Sequence, residues 1–241
     1  LPPPNKTDMA TKTARQPMDG RQRVSFVKHF FPGLCLLLVA YFFLTAYRDF
    51  RDNYMVEILE GLQYSYDDNQ TIITRAETLV AFGVILAMGL LNFFRDNRTG
   101  LIAAFSVMTG GVILLGVSTL LLEMGTISGF WWLTLTGLGS YLAYVPYGSL
   151  LFDRMIATTK VAGTAVFAIY VADAIGYTGS VGIQLYKDLA AGEMSRLVFF
   201  KGYTWFMTFL GAFCLVVSCF YFLGKTSKAL PEENLETTSV R

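Results

Sequence analysis

The residues best placed to do chemistry lie in one stretch, Tyr41-Phe-Phe-Leu-Thr45-Ala-Tyr47-Arg48-Asp49-Phe50-Arg51-Asp52-Asn53-Tyr54. On a helix, Tyr41, Thr45, Arg48 and Asp52 follow one another at spacings of four, three and four, so they share a face. Tyr47, Arg51 and Tyr54 form a neighbouring stripe. Arginine presents a planar fork that grips a carboxylate or phosphate with two parallel bonds. Two arginines one turn apart among tyrosines therefore predict a cradle for a small anion. The competing reading is an ordinary Arg48–Asp52 ion pair at the outer headgroups. At 1.5 Å per residue Arg48 lies about 30 Å above Lys28, the depth of a bilayer core.

The second chemically loaded position is Asp173, a lone carboxylate inside an otherwise uncharged run. Charge at membrane depth costs several kcal/mol unless it is paired or wet. No basic residue shares its run, so three roles stand open: a proton carrier, a counter-ion to Arg48 or Arg51, or a structural hydrogen bond to nearby backbone. A third feature is Tyr144-Val-Pro146-Tyr147-Gly148, where proline removes a helical hydrogen bond and bends the axis. A bend flanked by tyrosines suits a gating helix or the wall of a polar cavity, with Tyr144 as a lining residue; a static kink explains it equally. Arg75, Glu77 and Glu123 read as interface charges.

Other chemistries find no support in the residues. The single histidine, His29, stands at a predicted membrane boundary, and no Ser/His/Asp or paired-carboxylate constellation accompanies it. Cys35, Cys214 and Cys219 all sit in apolar runs without metal-ligand spacing, as small hydrophobes do. The expectation is no enzyme, no cofactor and no metal.

The elements that must position these residues are membrane helices. Of 241 residues, 54% are hydrophobic and 15% charged, well below the roughly 25% charge of soluble domains. A net charge of +1 gives no basic field for nucleic acid. Uncharged runs at 30–47, 78–94, 99–122, 124–152 and 202–224, plus 161–186 interrupted only by Asp173, predict six spans. The fold class is therefore all-α: a polytopic, six-helix membrane bundle over 30–224. It lies between a cytoplasmic linker at 1–29, which opens with Pro2, Pro3 and Pro4, and a cytoplasmic tail at 225–241.

With both termini inside, thirteen of the nineteen basic residues fall on the cytoplasmic side, as the positive-inside rule asks. The start at Leu1 and the absence of a secretory signal suggest a segment of a longer protein. The sequons at Asn5, Asn69 and Asn97 read as chance, two of them being cytoplasmic.

Glycine sets the packing. In lipid, small residues let helix backbones approach closely. Gly176, Gly179 and Gly182, extended by Ala172 and Ser180, predict one smooth face; Gly110, Gly111 and Gly116 predict another. Such faces serve tight packing or sliding during a transport cycle. Trp131 and Trp132 are expected at the outer interface.

Six spans behind a basic linker resemble helices seven to twelve of the major facilitator superfamily. Phe94-Arg95-Asp96-Asn97-Arg98-Thr99-Gly100 is similar to the superfamily's Asp-Arg-x-Gly loop. Asp153-Arg154 through Lys160-Val-Ala-Gly163-Thr164-Ala165 resembles its basic loop running into a Gly-Thr-Ala helix start. Tyr47-Arg48-Asp49-Phe50 resembles the signature of organophosphate-type transporters, in which an arginine holds the substrate phosphate. The chain as a whole resembles an uncharacterised bacterial membrane family of this topology.

The resemblance implies the C-terminal half of a secondary transporter in the plasma (inner) membrane, partnered by a preceding six-helix half. Its solute is expected to be small and anionic, bound by Arg48, Arg51, Tyr41, Tyr47 and Tyr144. Asp173 and Asp52 are expected as coupling or counter-ion residues. A scaffold or sensor that keeps the fold without transport is the alternative.

Overall fold

The computed structural model describes residues 18–65, 71–159 and 164–226. The described residues are helical, with no strand among them. Helix α1 spans Gly20–Asn53, α2 Met55–Gly61, α3 Thr71–Leu91, α4 Asn97–Glu123 and α5 Gly129–Pro146. A π-turn, Tyr147–Leu151, leads into α6, Phe152–Thr159, followed by α7, Ala165–Leu189, and α8, Arg196–Thr226. The protein is an all-α, membrane-embedded, multi-pass protein. Helices α1, α3, α4, α7 and α8 are each long and apolar enough to cross a bilayer. The expected fourth span is α5, whose helix stops at Pro146 and whose tryptophans, tyrosines and threonines dilute its apolar content.

Helix α1 begins earlier than the expected boundary at residue 30. Asp19 accepts from the backbone of Gln22 at 2.7 Å, and the Gln22 side chain accepts from the backbone of Asp19 at 3.0 Å. This reciprocal cap fixes the start of the helix. At 34 residues it is about 50 Å long, so its ends project beyond a core about 30 Å thick. Charged ends likewise carry α3 back to Thr71 and α8 back to Arg196, where the uncharged runs begin at 78 and 202. The proline-led segment before Met18, Asn5, Asn69, residues 160–163 and the residues beyond Thr226 lie outside the described residues.

Pro32 lies inside α1, and α8 donates to carbonyls on either side of it. Ser218 Oγ donates to the Gly33 carbonyl at 3.0 Å and Tyr221 Oη to the His29 carbonyl at 3.2 Å. A side chain at Gly33 would run into Tyr221, so this crossing needs glycine.

The small-residue faces do pack helices together. A Cβ on Gly139 of α5 would stand 2.5 Å from the carbonyl oxygen of Gly111 in α4, and the reverse holds equally. Gly179 of α7 meets the Phe42 carbonyl of α1 in the same way. Gly110 and Gly182, by contrast, face open space. The two tryptophans also separate. Trp131 is half exposed, as expected at an interface, whereas Trp132 turns fully inward and donates Nε1–H to Thr119 Oγ1 at 2.9 Å. Successive residues of a helix point about 100° apart, so only one of an adjacent pair can face outward.

Candidate functional site

The last three turns of α1 and the end of α5 bring most of the expected site residues together. Arg48 donates through Nε and Nη2 to Asp49 Oδ1 at 3.1 and 2.6 Å. Its guanidinium lies 3.9 Å from the ring centroid of Tyr144 and 5.9 Å from that of Tyr141. Stacking on tyrosine faces orients the cation, and its 15% side-chain exposure leaves it within reach of a ligand. Tyr141 and Tyr144, three residues apart on α5, lie on one face of that helix.

The Arg48–Asp52 pair expected from spacing does not form. Asp52 instead accepts from Arg51 Nη1 at 2.9 Å and from Tyr141 Oη at 2.9 Å. Arg51 turns inward and is fully buried. Its Nη2 donates to Glu77 Oε1 at 2.6 Å and to the Leu133 carbonyl at 3.0 Å. The guanidinium passes across Gly137, where any side chain would collide with Nη2. Glu77, expected as an interface charge, is thus the ion partner that joins α3 to α1. Glu77 lies in the second turn of α3, which begins at Thr71.

Tyr47 also departs from the expected lining role. It is fully buried and stacks on Phe200 with centroids 4.8 Å apart. The Thr204 hydroxyl donates to the Phe200 carbonyl at 2.8 Å, so the Tyr47 hydroxyl is the donor in its 3.0 Å bond to Thr204 Oγ1. Arg51 and Tyr47 therefore hold the bundle together and face no open wall. Their stripe lies about 100° around α1 from Arg48, which is enough to send it into the core.

Asp173 finds a partner that none of the three sequence alternatives named. Tyr41 donates its phenolic hydrogen to Asp173 Oδ1 at 2.6 Å. No basic side chain pairs with Asp173 among the described residues. Tyr41 in turn stacks on Tyr144, with centroids 5.3 Å apart and ring planes 20° from parallel, and meets Tyr147 edge-on at 4.6 Å. Tyr147 Oη donates to the Leu37 carbonyl at 3.1 Å, anchoring the first residue of the π-turn to α1. Arg48, Tyr144, Tyr41 and Asp173 thus form one continuous run of contacts from α1 through α5 to α7.

Sequence reasoning missed Tyr141. The signal for Tyr141 was its place one turn before Tyr144.

Beyond the π-turn that follows α5, Arg154 of α6 clasps the α3–α4 loop. It donates to the Phe94 carbonyl and to Asn97 Oδ1, each at 2.9 Å. Asp96 opens α4, accepting from Thr99 N at 2.7 Å and Thr99 Oγ1 at 2.8 Å. These two Thr99 donors hold the Asp96 carboxyl below the usual aspartate range. The loop residues singled out in the sequence are thus a helix cap and a clasp. Among the described residues, no group of histidine, cysteine or carboxylate side chains is arranged to hold a metal.

A family described as a family of unknown function (DUF5690) matches over residues 1–225, and the chain belongs to it. No curated protein and no solved structure matches the chain.

Proposed function

We propose that this DUF5690 member is one six-helix half of a secondary transporter of the major facilitator type. It moves a small solute bearing an anionic group across the plasma (inner) membrane by alternating access. In this reading α5, the π-turn and α6 supply the remaining span, both termini are cytoplasmic, and a preceding six-helix half forms the opposite wall of the cavity.

The observation that carries the reading is the run Arg48–Tyr144–Tyr41–Asp173. It sets a partly accessible guanidinium and a carboxylate into helices of membrane-crossing length. Charges at this depth are costly and mark solute or ion pathways. Arg48 is the anion ligand because Arg51 is buried behind it, and Tyr144 walls the cavity with the buried Tyr41 stacked against it. The π-turn after Pro146 lies directly beyond Tyr144, and such irregular turns interrupt helices at functional sites. It gives α5 a place to flex between the Arg48 cluster and the Arg154 clasp.

The test is solute uptake into liposomes by the full-length protein, compared with Arg48→Ala.

A further inference from the structure

The charges around Arg48 do not balance. Arg48 is matched by Asp49, and Arg51 by both Asp52 and Glu77. Asp173 has a phenol for a partner and no cation among the described residues. Two guanidiniums thus stand with four carboxylates. An anion arriving at Arg48 joins a cluster in which carboxylates already outnumber guanidiniums. A positive charge must arrive with it.

Three oxygen-bearing side chains meet at the α1–α7 contact. Asp173 Oδ1 receives the Tyr41 hydroxyl, and no hydrogen bond to Oδ2 is present among the described residues. Thr45, one turn along α1 from Tyr41, is 1% exposed, and its Oγ1 has no hydrogen-bond partner. Threonine hydroxyls in helices ordinarily donate to the carbonyl four residues back. Thr119, Thr134, Thr136, Thr204 and Thr208 all do so here. Thr45 does not.

Thr45 and Tyr41 converge on bare backbone. A Cβ on Gly176 would stand 2.7 Å from Thr45 Oγ1 and 2.8 Å from Tyr41 Cε1. Gly176 lies one turn along α7 from Asp173, on the face turned toward α1. A carboxylate, a phenolic oxygen and an unsatisfied hydroxyl thus share one short stretch of the α1–α7 contact.

We infer that Asp173, Thr45 and Tyr41 form an oxygen-lined seat for a compact monovalent cation, which neutralises Asp173 when an anionic group occupies Arg48. The carboxylate supplies the charge and the two hydroxyl oxygens complete the cradle, which is hard-cation chemistry. The same chemistry serves a free sodium ion or the ammonium head of a zwitterionic solute. The link to an anion at Arg48 rests on the transporter reading; the seat itself does not.

The experiment is thermal unfolding of the purified full-length protein in detergent, at fixed pH and ionic strength. Sodium chloride and methylammonium chloride are each compared with N-methylglucamine chloride, whose cation is too bulky for the seat. At least one compact cation raises Tm by about 3 °C or more near saturation. Asp173→Asn abolishes the shift, and Thr45→Val, which keeps the shape and removes the hydroxyl, reduces it. A response to sodium alone identifies a free ion, and a response to methylammonium alone identifies the head of a solute.

The absence of any cation-specific shift, or a shift retained in both variants, overturns the seat. So does stabilisation that follows pH at every cation concentration, which would leave Asp173 a proton carrier. If Asp173→Asn does not fold, Thr45→Val still decides. This readout involves no uptake, so failure of the seat and failure of transport are separately visible.

Discussion

The Tyr41 hydroxyl reaches across the α1–α7 contact to Oδ1 of Asp173 at 2.6 Å, and this bond is the sole hydrogen bond to the Asp173 carboxyl among the described residues. Its presence turns a costly intramembrane charge into a defined junction between two helices. Removing either partner therefore has a calculable consequence.

Tyr41→Phe leaves the Asp173 carboxyl without its donor. The expected loss is about 1–3 kcal/mol of stability, read as a lowered Tm of the purified protein. The double variant Tyr41→Phe/Asp173→Asn loses less than the sum of the two single changes, because each has already broken the same bond. Strict additivity would show that the pair does not interact.

Arg51 is the structural arginine. It is fully buried and holds Asp52, Glu77 and the Leu133 carbonyl with three separate bonds. Arg51→Ala leaves two carboxylates facing each other at a helix junction, and the expected cost is about 3–5 kcal/mol. Arg51→Lys recovers only part of it, because an ammonium cannot reproduce the planar fork. A thermal melt of each variant in one detergent checks the order wild type, Lys, Ala.

The glycine faces differ by position. Gly139→Ala places a methyl 2.5 Å from the Gly111 carbonyl and forces α4 and α5 apart, at an expected cost of about 1–3 kcal/mol. Gly110→Ala, one residue from Gly111 but facing open space, leaves stability within error of wild type or slightly raised. Equal effects at the two positions would contradict the helix crossing described above.

Asp96 gives a pH dependence of known sign. Its carboxyl sits below the ordinary aspartate value in the folded state, because the Thr99 backbone and hydroxyl both donate to it. The stability it contributes is fully present above the unfolded-state value near 4 and fades as pH falls through the lower folded value. Asp96→Ala removes the cap and with it this acid dependence. The check is the difference in Tm between wild type and variant as pH falls, which should narrow below pH 4.

The membrane helices were legible because apolar runs of about 20 residues have few other uses. Their ends were not. Asp19 and Gln22 look like polar linker until their reciprocal cap is seen, and Glu77 looks like an interface charge until its pairing with Arg51 is seen. The site was half legible for a similar reason. Spacing placed Arg48 and Arg51 on adjacent stripes, yet periodicity cannot tell which stripe faces the core when the whole helix is apolar. Asp173 stood out as a lone charge, but its partner lies 132 residues away in sequence, beyond any local pattern.

In the proposed function Arg48 binds the anionic group of a transported solute. Full-length protein in liposomes, offered radiolabelled small carboxylates and organophosphates one at a time, tests it most directly. Saturable uptake of at least one of them is expected, with a loss of tenfold or more in Arg48→Ala and a smaller loss in Arg48→Lys. Equal uptake by wild type and Arg48→Ala, or no uptake above empty liposomes for any of these anions, would contradict it.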